Sequence, residues 1–199
     1  MALPWLIDDT EDDGFHDIIL VDEEDRAVGL GMKTEVHQEG ELHRAFSVFI
    51  VNQQGEWLLQ QRAIDKYHSS CLWSNACCSH PRPGENVYEA AKRRVTEELG
   101  VDVELEYLGH LIYRTQFEDG LWEHEYDHLF RAVYDGPFAP NSTEVNALRW
   151  IEPEQLREEL ESTPEQFTFW FRAVMDGKAI GGGVEKILPE APQSKNEKP

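Results

Sequence analysis

The chain has 199 residues, 39 acidic and 18 basic, with a net charge of −21 and 40% hydrophobic content; that suits one globular core with long loops, or one domain and a tail. The acid excess excludes a basic stripe for nucleic acid or for an anionic membrane surface, and reads as solvated surface. No window approaches the length of a membrane span, and the acidic start MALPWLIDDTEDDG lacks the basic region of a signal peptide, so a cytoplasmic protein is expected.

In chain order, residues 1–16 form an acidic, irregular extension. DIILVDEEDRAVG reads as two short strands around an acidic turn. AFSVFIV, NQQG and EWLLQQR, over residues 45–62, read as strand, turn and strand, the signal of a hairpin. Residues 63–85 form a long loop of the kind that carries function. NVYEAAKRRVTEEL is a helix stopped by Gly100. VDVELEYLGHLIYRTQF and LWEHEYDHLFRAVYD are strands joined through Glu118, Asp119 and Gly120, and ALRWIEP is a short strand. PEQLREELES and PEQFTFWFRAVMDG are helices that begin at prolines, the second ending at Gly177. Residues 181–199, rich in Gly, Pro and Lys, form a flexible tail, which leaves 17–180 as a single domain. Strands and helices mix without regular alternation, the pattern of an α+β fold or mixed sandwich.

Two features carry chemistry. WSNACCSHPRPGE, residues 73–85, holds Cys77, Cys78 and His80 in the long loop. With Cys71 the cysteines number three, and no C-x-x-C pair exists, so neither a disulfide framework nor a zinc ribbon is expected. Cys71 and Cys77 read as packing residues. In the helix after this loop, Val87, Ala91 and Val95 form the apolar stripe, and at about 100° per residue Arg94 and Glu98 project into it. Charges on a core-facing stripe point to a metal, a phosphate or each other.

From Ser79 through Glu85 to Arg93-Arg94-Val95-Thr96-Glu97-Glu98-Leu99-Gly100-Val101 the spacing resembles the Nudix box, with Ser79 in place of its first glycine and Arg94 in place of a glutamate that holds magnesium. Together with HRAFSVFIVN, QQRAIDK, LWSNACCSHP, YRTQF and WEHEYDHLF, in this order, the chain resembles the type I isopentenyl-diphosphate Δ-isomerases from about Lys33 to Met175. The resemblance implies a Nudix-like mixed β-sheet sandwich flanked by helices. It implies an enzyme that moves a carbon–carbon double bond by protonation and deprotonation through a tertiary carbocation. The alternatives are a Nudix diphosphohydrolase, which the Arg94 substitution opposes, and a non-catalytic metal-binding module.

On this resemblance Cys78 and Glu125 are the catalytic pair, Tyr113 supports the carboxylate, and Trp170 faces the carbocation. Lys33, Arg62, Lys66, Ser79 and Arg94 are the contacts to the diphosphate substrate. His37, His43, His80, Glu123 and Glu125 hold one Mn²⁺, Zn²⁺ or Mg²⁺, and Glu98 holds a Mg²⁺ that arrives with the diphosphate. Glu123 and Glu125, two apart on a strand, face one side whatever their role. His124 reads as surface and His128 as structural. The expected partner is a small diphosphate, with no nucleic acid and no membrane, and the protein is a monomer or weak dimer.

Overall fold

The computed structural model describes residues 17–66, 69–117 and 120–176. In chain order they form β1 (Asp17–Val21), β2 (Ala27–Met32), α1 (Lys33–Glu39), β3 (His43–Val51), β4 (Trp57–Arg62), β5 (Trp73–Ser74), β6 (Cys77–Ser79), α2 (Val87–Leu99), β7 (Glu106–Gln116), β8 (Trp122–Val133), β9 (Val145–Ile151), α3 (Pro153–Ser162), a 3₁₀ turn (Pro164–Gln166) and α4 (Phe169–Met175).

β3 is the axis of the sheet. One edge runs parallel to β8 from His43↔Glu125 to Val51↔Val133. The other edge is shared along its length by β1 at His43, by β6 from Phe46 to Val48, and by β4 at Val51. The expected β3–β4 hairpin is therefore corrected to the single pair Val51↔Trp57, after which β4 leaves to pair with β9 and β5. The reason lies in the composition of the two strands. Both are buried almost throughout, as strands covered on two faces are, and covering both faces forces the sheet to curl and the strands to part. β1 and β2 pair around the acidic turn as read from sequence, and β7 and β8 pair from Glu106↔Arg131 to Gln116↔Trp122. Residues 118 and 119 of the expected turn, the acidic extension, Gly177 and the tail lie outside the described residues.

Period-two alternation on β3 builds a core on each face. Phe46, Val48 and Ile50 join Phe130, Ala132 and the Ala90, Ala91, Val95, Leu99 stripe of α2. Phe49 and Val51 join Leu129, Phe167, Trp170 and Phe171 on the face of the C-terminal elements. α2 starts where the Asn86 side chain accepts the Tyr88 N–H and stops at Gly100, whose φ of 69° is left-handed. A Cβ there would come within 2.6 Å of the Ala139 carbonyl oxygen, so the stop is also a close approach.

Two elements differ from expectation. α1 has little sequence signal: it lacks a side-chain cap at its start and Val36 is the lone aliphatic in KTEVHQE, and only Gly40, left-handed at a φ of 71°, marks its end. The second C-terminal helix does not begin at Pro164. The chain makes a 3₁₀ turn there and then extends through Phe167 and Thr168, where Phe167 bridges Trp73 and the Thr168 N–H donates to the Trp73 carbonyl at 2.9 Å. That bond to the 63–85 segment replaces a helical one, and α4 starts only at Phe169. The 63–85 segment itself carries β5 and β6.

Candidate active site

The register of the sheet assembles the site. β3 and β8 set His43 beside Glu125, and β7 sets Tyr113 across from Glu125. β6 lays Cys78 against Ser47 of β3. Alternation turns Cys77, fully buried, into the α2 core and Cys78 the other way. α1 contributes His37 and Lys33, and His80 follows β6.

The three imidazoles cluster, with ring centroids 4.8 Å (His37–His43), 5.1 Å (His43–His80) and 5.8 Å (His37–His80) apart. His37 Nδ1 lies 2.6 Å from the Lys33 carbonyl and His43 Nδ1 2.9 Å from the Glu41 carbonyl. A carbonyl only accepts, so both Nδ1 atoms carry a proton and both Nε2 atoms face inward, each with a lone pair to offer when the ring is neutral. These Nε2 atoms are buried without a hydrogen-bond partner, 3.6 Å from Glu123 and 3.7 Å from Glu125 respectively. Imidazole nitrogens facing carboxylates across a gap too long for a hydrogen bond could hold a divalent cation, with the carbonyls fixing the ring orientation. Two overlapping groups, His37–His43–His80 and His43–Glu123–Glu125, keep their donor atoms within 4.8 Å of one another.

Glu125 divides its oxygens. Oε1 lies 3.2 Å from His80 Nε2, and Oε2 accepts the Tyr113 hydroxyl at 2.5 Å. Burial favours its neutral form, but His43 and His80 outweigh burial and hold its pKa well below the usual range. Glu123 moves the other way, raised by burial and by the charge of Glu125. Burial and the same charge push the Tyr113 phenol up. Burial, with the charge of Asp127 added, pushes the Cys78 thiol up to about 12. Asp127, one alternation further along β8, is a site residue that the sequence reading misses, although the E-x-E pattern continues to it. It is fully buried and raised well above its usual value by burial and Glu125, and Ser47 donates to it at 2.9 Å.

A cleft of about 420 Å³ opens on this assembly. Cys78, Glu125 and Trp170 line it, with Lys33, Arg62 and Ser79 from the expected substrate contacts. His37, His80 and Glu123 reach the same space, while His43 is wholly buried. The Arg62 guanidinium lies 5.2 Å from the Trp170 ring centroid. The remaining three expected residues form a neighbouring cluster around a residue that carries no sequence signal. Glu98 accepts Arg94 at 2.7 Å and Gln60 at 3.2 Å, and Glu144 meets Lys66 at 2.5 Å and Arg94 at 3.3 Å. Glu144 sits in the NSTEV loop, where nothing in the local pattern marks an inward carboxylate.

All three cysteines are free. Cys71 is exposed at a φ of 61°, which corrects its reading as a packing residue. His124 is half-buried rather than surface, with Nδ1 2.9 Å from the Gly40 carbonyl. His128 is structural, 3.1 Å from Asp25. Among the described residues no helix is long and apolar enough to cross a membrane.

Burial lowers the His80 pKa from 6.5 to about 3. An unfolded chain binds this proton below about pH 6.5 and the folded one only near pH 3, so its contribution is present above 6.5 and lost as pH falls toward 3. His80→Asn should therefore flatten the fall in melting temperature between about pH 7 and pH 5. Parallel melting curves for the variant and the wild type across that window would refute the burial of a neutral ring.

The NUDIX domain model matches residues 41–171. The isopentenyl-diphosphate Delta-isomerase of Burkholderia multivorans is 47% identical over 80% of this chain and 90% of its own length. That of Serratia proteamaculans is 46% identical over 79% and 88%. That of Halorhodospira halophila is 42% identical over 82% and 95%. In fold, a Deinococcus radiodurans crystal structure superposes with a TM-score of 0.62 at 20% identity, covering 74% of this chain and 90% of that one. The MutT protein of Methanosarcina mazei gives 0.55 at 18%, covering 73% and 92%. The chain thus has a Nudix fold, with nearly the full length of each of these isomerases matched in sequence, and belongs to the isopentenyl-diphosphate Delta-isomerases of the NUDIX family.

Proposed function

We propose that the protein interconverts isopentenyl diphosphate and dimethylallyl diphosphate, supplying isoprenoid precursors. The observation that carries this reading is one cleft lined by the Cys78 thiol, the Tyr113-bonded carboxylate of Glu125 and the Trp170 indole. The π pair of the terminal double bond takes a proton at its methylene carbon and leaves a tertiary carbocation. Loss of a proton from the carbon on the diphosphate side returns a C–H pair to form the new double bond. One proton enters and one leaves, so Cys78 and Glu125 exchange protonation roles over a turnover. The mostly buried Trp170 presents a face that stabilises the cation by up to about 2 kcal/mol when water is excluded. Arg62 stands over that ring and, with Lys33 and Ser79, meets the diphosphate. Lys66 and Arg94 add positive charge from the neighbouring cluster.

His37, His43, His80, Glu123 and Glu125 would hold Mn²⁺, Zn²⁺ or Mg²⁺, a fit that rests on the inward lone pairs of the two Nε2 atoms. When bound, the cation fixes the orientation of Glu125 and tunes its acidity. Glu98 would take a Mg²⁺ arriving with the diphosphate on the lone pairs that its bonds to Arg94 and Gln60 leave. Residues 17–180 are taken as one isomerase domain, monomeric or weakly dimeric, in a reducing cytosol that suits three free cysteines.

The test is isopentenyl diphosphate with Mg²⁺, watched for dimethylallyl diphosphate, before and after chelation. Turnover that stops on chelation and returns with Mn²⁺, Zn²⁺ or Mg²⁺ is expected. Release of phosphate from nucleoside diphosphates would favour a hydrolase, and metal uptake without turnover would favour a binding module.

A further inference from the structure

We propose that Asn75 is a positioning residue for the Cys78 thiol and that, through Ser74, it ties thiol and Trp170 indole into one rigid unit; the catalytic consequence rests on the reading just given. Asn75 is 1% exposed. Its Nδ2 donates to the Val48 carbonyl at 3.1 Å and to the Cys77 carbonyl at 3.0 Å. Both acceptors are carbonyls, so both amide protons are used and the amide cannot be turned over. Its Oδ1 is thereby aimed at two donors, the Cys78 thiol at 2.9 Å and the Ser74 hydroxyl at 3.0 Å.

Ser74 has one proton, and it goes to Asn75. The Ser74 oxygen then accepts the Trp170 Nε1–H, a group that only donates, at 2.9 Å. It accepts the Thr168 hydroxyl at 3.0 Å as well. Every direction in the chain is thus fixed: Trp170 and Thr168 donate to Ser74, Ser74 donates to Asn75, and Cys78 donates to Asn75 from the other side. Ser74, Asn75 and Thr168 are each at most 1% exposed, so water does not compete. The same chain gives a reason for the interrupted C-terminal helix. The extended step at Phe167 and Thr168 brings the Thr168 hydroxyl into the network, which a helix continuing from Pro164 would turn elsewhere.

A clamp of this kind places two groups that must meet one substrate, one from strand β6 and one from helix α4. Misplacement of a reacting group by about 1 Å costs roughly a hundredfold in rate. Asn75→Ala should accordingly lower kcat roughly a hundredfold with KM within about threefold of wild type. It should also shift the infrared S–H stretch of Cys78, isolated by difference against Cys78→Ala, to higher frequency, because the thiol loses its acceptor. A merely structural Asn75 would move neither the band nor the split between kcat and KM. Ser74→Ala leaves the amide anchors in place and should cost about tenfold in kcat at steady KM. A folded Asn75→Ala with an unmoved S–H band, or with kcat within about threefold of wild type, overturns the proposal. Where Asn75→Ala does not fold, Ser74→Ala decides: a kcat equal to wild type overturns it and the tenfold loss supports it. Should the wild-type protein fail to isomerise isopentenyl diphosphate, the reading of function falls, and the S–H band still judges the clamp.

Discussion

Cys78→Ala should abolish isomerisation while the protein folds, binds its metal and binds the diphosphate. The loss should be on the order of a thousandfold or more, as for removal of an acid–base group. The thiol lies apart from the imidazole cluster: its partners are Asn75, Ser47 and Ser74, not a histidine. Glu125→Gln should be as inactive and should also weaken the metal, because this carboxylate faces both His43 and His80. The double variant should be no slower than the poorer single one, since two groups that complete one proton exchange fail together. The measurements are rate, bound metal, and deuterium uptake from heavy water at both carbons. Near-full isomerisation by Cys78→Ala would overturn the mechanism. Metal loss in that variant would recast the CCSH segment as a ligand loop.

The second large effect is on stability. Arg94→Ala should destabilise the fold by about 3 kcal/mol, the low end for removing one partner from a buried ion pair. Arg94 joins Glu98 and Glu144, which are 3% and 6% exposed, and also the more open Glu97. Gln60 still serves Glu98 and Lys66 still serves Glu144, which keeps the loss from being larger. Adding Glu98→Gln should recover part of the loss by removing the stranded charge. Urea titration of the two variants checks this. An Arg94→Ala protein as stable as wild type would mean that the pair is a solvated surface contact after all.

What the sequence makes legible follows from period and spacing. Alternation along β8 is enough to place Glu123 and Glu125 on one face, and a rotation of about 100° per residue is enough to turn Arg94 and Glu98 into the apolar stripe of α2. Both hold because each residue's direction is set by its own element. The partners those residues find are not legible in the same way. Glu144 and Asn75 lie in loops, and their inward direction is set by tertiary packing against β4, β3 and the C-terminal segment. α1 escapes a pattern search because it has one aliphatic residue and no side-chain cap at its start, so its stop at Gly40 closes a segment without an apolar stripe. The hairpin fails for a related reason: the apolar runs at residues 48–51 of β3 and 57–59 of β4 are buried throughout and do not say which neighbour each prefers.

β6 is three residues long, and its two cysteines look in opposite directions. Deleting one residue between Trp73 and Cys77 would slide the strand by one position against β3. Cys78 would then enter the core under α2 and Ser79 would take its place at the cleft, with His80 drawn one step out of the imidazole cluster. This stretch, although it has the look of a connecting loop, is therefore fixed in length as well as in the identity of its key residues. Its spacing from Trp73 to His80 is the part of the chain where insertions and deletions should be lethal to activity.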